Sequence, residues 1–238
     1  MEITVDTIAQ GHERVVRDIL LHGEELETED GELTIEWPPH DPYVIHIKHP
    51  LKQPMVSDSC MFGEKAMQQY VEQLLSLHPP GPNSATYYYS NRLFDYPAWV
   101  LTPRGLIGRG GNGDGKGINQ IISSIINRLT VSPNSRRAMA ITWVPELDIN
   151  SYEPPCLQLI QCFIRNQQLH VVCYFRSNDM LSAWGANAYG LAHLMKYVCD
   201  RIDQPITIGT LTTISSSAHI YWKRDKQELN EFKKRMIL

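Results

Sequence analysis

Residues 154–179, PPCLQLIQCFIRNQQLHVVCYFRSND, decide the expected fold because they contain two apolar runs around a short polar segment. Residues 156–164 and 169–175 are rich in the β-branched, aromatic and other apolar residues of buried strands, and residues 165–168 suit a turn. We therefore expect a hairpin of two buried strands at this point of the chain.

Helical and strand-like patterns lie on both sides of this hairpin. Apolar residues at helical spacing predict long helices, and short alternating or apolar runs predict further strands. The helices are expected at residues 7–22, 62–77, 118–129 and 186–201, and the strands at 33–35, 43–47, 138–143, 206–214 and 218–222. Because helices and buried strands are mixed without a repeat or a clear linker, we expect one α+β domain over residues 1–238.

Composition excludes several classes of protein. The 238 residues are 42% hydrophobic, which is enough for a sizeable core. The net charge of −4 means that no overall positive field attracts nucleic acid or an anionic membrane. The five cysteines form no CxxC pair, which argues against a disulfide framework and a structural zinc site. No secretory h-region or apolar run of membrane-spanning length occurs. We expect a cytoplasmic protein without a metal, a nucleic-acid partner or a membrane partner.

The glycine-rich segment 103–117, PRGLIGRGGNGDGKG, looks at first like a phosphate-binding loop. The P-loop pattern requires Ser or Thr after its Gly-Lys pair, whereas Lys116 is followed by Gly117. We expect a mobile surface loop, which can also serve as a lid.

Polar side chains adjoin the expected strands. Cys156 opens one strand, where a thiol is either a small core residue or a nucleophile. The pairs Arg136-Arg137 and Arg176-Ser177 flank buried strands, and each either clamps a phosphate or caps a sheet edge.

Further downstream, Asn187 opens a helix, and His219 and Tyr221 alternate on a late strand, so that both point to one face. Together with the thiol and the arginines, an amide, an imidazole and a phenol can hold a nucleotide.

Four blocks in this order resemble the signature blocks of the thymidylate synthase family: SRRAMAITW, PPCLQLIQCF, FRSNDMLSAWGANAYG and SSSAHIYWKRD. They cover about residues 130–225, and the chain is most similar to the compact archaeal branch of that family. The resemblance implies an α+β fold with a large mixed sheet and flanking helices, in which two sheets pack back to back in a homodimer.

The resemblance also implies roles for individual residues. Cys156 matches the catalytic cysteine, Glu72 the general acid/base, Asp179 the aspartate that contacts the base and orders water, and Tyr89 a tyrosine of the site.

Binding roles follow in the same way. Arg176 and Ser177 match phosphate ligands, Asn187 the pyrimidine reader, and His219 and Tyr221 the pair that binds the ribose 3′-hydroxyl. Arg136 and Arg137 match the pair that reaches the phosphate bound by the other subunit, which implies a homodimer with shared sites.

The implied reaction is reductive methylation of dUMP at C5 to dTMP, after addition of the Cys156 thiolate to C6. Arg176 is the candidate for stabilising that thiolate. The implied cosubstrate is methylene-tetrahydrofolate or methylene-tetrahydromethanopterin. An amide at Asn187 favours uracil over cytosine, since it can donate to O4 and accept from N3–H.

The chain departs from the family where Leu157 replaces the usual histidine after the cysteine and where residues 87–92, YYYSNR, replace a tryptophan-rich region. Two alternatives therefore stay open. One is a pyrimidine-nucleotide (dUMP/dCMP) hydroxymethylase on the same scaffold, and the other is a non-catalytic nucleotide-binding homologue.

Overall fold

The computed structural model of the chain describes residues 1–38, 41–77, 87–111 and 113–236. Its strands are β1 (Glu2–Val5), β2 (Glu24–Glu27), β3 (Leu33–Glu36), β4 (Tyr43–Ile47), β5 (Ala98–Thr102), β6 (Gly105–Arg109), β7 (Met139–Ile141), β8 (Leu157–Arg165), β9 (Gln168–Asp179) and β10 (Thr207–Ile220). Its helices are α1 (Ile8–His22), α2 (Glu64–Leu74), α3 (Tyr89–Phe94), the π-helical segment π1 (Ile121–Ile126), α4 (Asn127–Val131), α5 (Pro145–Asp148), α6 (Trp184–Cys199) and α7 (Lys226–Met236).

Eight of the described strands form one mixed sheet. The order across it is β1-β4-β10-β9-β8-β7, with β3 paired to β10 and β2 to β3. The pairs β1–β4 and β9–β10 are parallel, and the other pairs are antiparallel. The expected α+β class with a large mixed sheet is confirmed.

The central hairpin is present, with a tight turn at Asn166 and Gln167. Both residues have positive φ, 51° and 59°, as a two-residue turn that matches the twist of the strands requires. The strand β9 continues to Asp179, beyond the expected end at residue 175, because its pairing with β10 extends to His219. For the same reason the two late strands expected at 206–214 and 218–222 are one strand.

Helices cover one face of the sheet. α1 and α6 pack on it, and α2 packs against α6. Trp184 lies fully buried in this layer, and its indole N–H donates to Thr213 Oγ1 at 3.0 Å. The opposite face carries partly exposed apolar side chains such as Met139, Ile141 and Tyr174.

The glycine-rich segment differs from the expected free loop. Its first part forms the turn and the second strand of the hairpin β5–β6, and its second part folds over the buried carboxylate of Asp95. The amides of Gly111, Gly113 and Gly117 donate to that carboxylate at 3.1, 3.0 and 2.6 Å. The glycines are needed here because Gly111 and Gly113 have φ of +84° and +81°. Asn112, in the same segment, lies outside the described residues.

No helix within the described ranges is both long and apolar enough to cross a membrane.

Candidate active site

The thiol of Cys156 lies partly buried immediately before β8, beside the guanidinium of Arg176. The backbone N–H of Arg176 donates to the carbonyl of Cys156 at 2.9 Å, which aligns the two residues on neighbouring strands. Arg176 Nε donates to the carbonyl of Pro155 at 3.0 Å, and Nη2 donates to that of Pro154 at 2.7 Å. These bonds hold Nη2 at 4.0 Å from the Cys156 sulfur.

Burial and charge act in opposite directions on this thiol. Burial raises the pKa of Cys156 above its usual value, the Arg176 charge lowers it, and Asp179 and Glu153 raise it further. Arg176 therefore favours the thiolate, as expected from the sequence, but the net shift is upward. Without a ligand the sulfur is held mainly as the neutral thiol.

Two phenols lie against the backbone at the thiol. The amide of Leu157 donates to Tyr89 Oη at 3.0 Å, and Tyr87 interacts with the Tyr89 hydroxyl and with the Cys156 backbone. Burial raises the pKa of both phenols, so both remain protonated. The sequence indicated Tyr89 but not Tyr87. Alternation in an extended segment was the signal that could have identified it, because positions two apart share a side.

The amide of Asn187, in the first turn of α6, accepts a hydrogen bond from the phenol of Tyr70. The distance from Tyr70 Oη to Asn187 Oδ1 is 2.7 Å. Tyr70 lies in the helix expected at residues 62–77, and its role at Asn187 was not predicted. Its polar tip on an otherwise apolar face was the available signal.

Asp179, at the end of β9, is held by several donors. Its carboxylate accepts from the amides of Leu181 and Ser182 at 3.2 and 3.1 Å, and its Oδ2 pairs with Arg224 Nη2 at 2.6 Å. Arg224 also pairs with Asp225 at 2.6 Å. The sequence analysis did not identify Arg224, although it stands three residues after Tyr221.

The expected ribose-binding pair lies next to this ion pair. His219 is paired with Asp179 across β9 and β10, and its ring lies 4.8 Å from that of Tyr221, edge to face. The Arg224 guanidinium stacks over the Tyr221 ring at 4.1 Å. Burial lowers the pKa of His219, which keeps the imidazole neutral near pH 7. Ser177 pairs with Ser217 two positions before His219 on the same two strands.

Glu72 is not among the residues that the structure gathers at the thiol. It is an exposed residue of α2 and lies two positions after Tyr70, about 200° around the helix from it. The helix therefore presents a phenol to Asn187 and turns the carboxylate to solvent. The role of Glu72 as general acid/base stays a prediction.

Arg136 and Arg137 also lie apart from the thiol within one chain. The amide of Cys162 donates to the carbonyl of Ala138 at 2.8 Å, which places the two arginines beside the far half of β8. Six residues separate Cys162 from Cys156, a distance of about 20 Å along a strand. Both arginines are exposed and line an open depression together with Arg128, Ser132, Asn134 and Ser135.

Over the described ranges, no group of three or more His, Cys, Asp or Glu side chains is arranged to hold a metal ion. An aromatic cleft of about 250 Å³ is lined by Tyr70, Tyr87, Tyr88 and Tyr89 among others, and so includes the two tyrosines that lie against the backbone at the thiol.

Comparison with known proteins identifies the family to which the chain is similar. The family model described as thymidylate synthase matches residues 70–236. The similar proteins include the following three, each named "Putative thymidylate synthase". The protein from Methanocaldococcus jannaschii is 36% identical over 231 residues, which cover 95% of this chain and 93% of the relative. The protein from Methanosarcina barkeri is 33% identical over 92% of this chain and 88% of its own length. The protein from Methanothermobacter marburgensis is 31% identical over 92% of each.

Proposed function

The chain belongs to the thymidylate synthase family, and from this premise we propose that it converts dUMP to dTMP by reductive methylation at C5. The observation that carries the proposal is the position of the Cys156 sulfur 4.0 Å from Arg176, with the phenols of Tyr87 and Tyr89 against the backbone at the thiol. A nucleophile, a cationic group and hydrogen-bond donors are thereby combined at one strand start.

The chemistry begins with the sulfur. Addition of the Cys156 thiolate to C6 forms the S–C6 bond and moves the C5=C6 electron pair to C5, which then attacks the methylene carbon of the cosubstrate. Loss of the C5 proton, with cleavage of the bond between the methylene carbon and the pterin nitrogen, leaves an exocyclic methylene group at C5. Hydride transfer from the reduced pterin to that methylene group, with departure of the Cys156 thiolate and return of the C5=C6 double bond, gives dTMP and an oxidised pterin. Since burial raises the pKa of Cys156, the thiol has to lose its proton before or during the addition to C6.

The nucleotide is held by residues around this sulfur. Neither bond from Arg176 to the proline carbonyls uses Nη1, which is free to donate to a phosphate with Ser177 nearby. Asn187 reads the pyrimidine, and His219 with Tyr221 binds the ribose.

The methylene donor is a reduced pterin, either methylene-tetrahydrofolate or methylene-tetrahydromethanopterin. The aromatic cleft that includes Tyr87 and Tyr89 supports this assignment, because phenol rings provide flat apolar surfaces on which a planar heterocycle stacks. Asp179, fixed at the end of β9, is the carboxylate positioned to order water near the base.

The protein acts as a homodimer in this proposal. The sheet face opposite the helices leaves Met139, Ile141 and Tyr174 between 37% and 38% exposed, which a second sheet packed back to back would cover. Arg136 and Arg137 then complete the phosphate site of the other subunit, since they lie too far from Cys156 of their own chain.

Release of tritium from C5-tritiated dUMP, in the presence of each pterin donor, tests the proposal. We expect release by the unmodified protein and a loss of at least about a thousandfold in Cys156→Ala. Cys199→Ala is the matched control, since that partly buried thiol lies at the end of α6, and we expect it to retain activity.

Mass spectrometry of the product separates the family chemistries. A methyl product supports the proposal, and a hydroxymethyl product would replace it with the hydroxymethylase. Undiminished tritium release by Cys156→Ala would rule out the thiolate mechanism.

A further inference from the structure

The phenol of Tyr70 is the polar group that α2 directs to the pyrimidine-reading residue. Its oxygen lies 2.7 Å from Asn187 Oδ1, and the two residues are 117 positions apart in the chain. Burial raises the pKa of Tyr70 well above its usual range, so the hydroxyl keeps its proton and remains a donor at every working pH.

A glycine on α6 creates the space that Tyr70 occupies. Gly190 lies three residues after Asn187, so the two positions share one face of the helix. A Cβ at Gly190 would lie 2.7 Å from Cε1 of Tyr70 and 2.9 Å from Cδ2 of Leu74. The tyrosine ring thus rests directly on the α6 backbone, and its hydroxyl is brought to the amide.

The orientation of that amide decides which base it reads. With Nδ2 towards position 4 and Oδ1 towards N3, it donates to O4 and accepts from N3–H, which suits uracil. Rotation by 180° reverses donor and acceptor, and the amide then matches the N4 amino group and the unprotonated N3 of cytosine.

The hydrogen bond from Tyr70 opposes that rotation. In the rotated state Asn187 Nδ2 would face the phenol oxygen of Tyr70. The oxygen would then have to accept a hydrogen bond from Nδ2, and the hydroxyl proton would lose Oδ1 as its acceptor. A buried polar hydrogen without an acceptor is costly, so the rotated amide is disfavoured.

We propose that Tyr70 is a positioning residue that fixes the Asn187 amide in the uracil-reading orientation and thereby sets discrimination against cytosine nucleotides. This inference rests on the proposed function, because it assumes that Asn187 contacts the base. Tyr70 itself acts through Asn187 and needs no contact with the nucleotide.

Calorimetric binding of dUMP and dCMP to the full chain tests the inference. We expect Tyr70→Phe, which removes only the hydroxyl, to lower the ratio of the dCMP to the dUMP dissociation constant by about tenfold, the effect of one lost, partly buried hydrogen bond. Tyr197→Phe is the matched control: its phenol, at the other end of α6, stacks on Arg201 at 3.5 Å, and we expect an unchanged ratio.

A double-mutant cycle separates positioning from a general structural effect. In an Asn187→Ala background, Tyr70→Phe should cause no further change in the ratio, because the residue through which it acts is gone. The melting temperature of each variant verifies that the protein is folded.

The outcomes are distinct. Two results would overturn the inference while leaving the proposed function standing. The first is a ratio of dissociation constants in Tyr70→Phe within twofold of that of the unmodified protein. The second is an equal decrease of that ratio in the presence and in the absence of the Asn187 side chain. Failure of the unmodified protein to bind dUMP would overturn the proposed function and this inference with it.

Discussion

The surroundings of Cys156 show how a short sequence orients a guanidinium beside a thiol. The carbonyls of Pro154 and Pro155 accept hydrogen bonds from Arg176, so the guanidinium is oriented by the backbone that leads to the thiol. The same geometry explains why a strand-opening cysteine after two prolines differs from Cys162 and Cys173, which are fully buried among apolar neighbours.

The Arg176 charge should be measurable in the reactivity of the free thiol. Because Arg176 lowers the pKa of Cys156 while burial raises it, removal of the charge leaves only influences that raise the pKa. We expect Arg176→Ala to move the pH profile of iodoacetamide alkylation at Cys156 to higher pH, and to slow the reaction several-fold at neutral pH. Peptide mass spectrometry after timed quenching measures the site-specific rate.

Arg165→Ala is the control for this experiment, since it removes an arginine at the opposite end of β8. We expect no change in its alkylation profile. Faster alkylation of Arg176→Ala at neutral pH would mean that the loss of shielding outweighs the loss of charge, contrary to the prediction.

At the scale of elements, the contact between α2 and α6 joins stability to the candidate site. Tyr70 and Leu74 of α2 pack directly on the α6 backbone at Gly190, in space that a side chain would fill. Any change in the separation of these helices therefore moves the Tyr70 hydroxyl relative to Asn187.

We expect Gly190→Ala to lower the free energy of unfolding by about 1–3 kcal/mol, because a methyl group at 2.7 Å from the Tyr70 ring overpacks the contact. Urea unfolding measures this change. Gly185→Ala on the same helix is the control, since its nearest neighbour would be Cys60 Sγ at an ordinary 3.5 Å. Equal stability of the two variants would show that α2 adjusts without cost.

Local patterns predicted the elements better than the contacts between them. The hairpin of β8 and β9 and the helix α6 were expected because their apolar periodicity is a local property. The hydrogen bond from Tyr70 to Asn187 and the ion pair of Arg224 with Asp179 join residues 117 and 45 positions apart, and no local pattern encodes them.

The glycine-rich segment illustrates the same limit. Its composition indicated a free loop, yet its glycine amides bind the carboxylate of Asp95, which lies up to 22 positions earlier in the chain. Glycine content predicted positive φ values but could not identify the acceptor to which the turns are fitted.

At the scale of the whole molecule, the sheet has one covered and one open face. The open face carries apolar residues of β7 and β9, and the exposed pair Arg136-Arg137 lies beside β7, at the end of the sheet remote from Cys156. The proposed homodimer would explain both features, since a second sheet would cover the apolar side chains and bring the arginines to the phosphate site of the other subunit.

Subunit mixing tests this shared site. In a heterodimer of one Arg137→Ala subunit and one Cys156→Ala subunit, one of the two sites is complete. Its Cys156 comes from the Arg137→Ala subunit, and its Arg137 comes from the Cys156→Ala subunit. Co-expression in equal amounts gives half heterodimers, so we expect about one quarter of the unmodified activity, although each variant alone is strongly impaired.

Mixing Arg176→Ala with Cys156→Ala is the matched control: Arg176 lies 4.0 Å from Cys156 of its own chain, so neither site is complete and no activity should return. Equal recovery in both mixtures, or none in the first, would contradict a phosphate site completed by the other subunit.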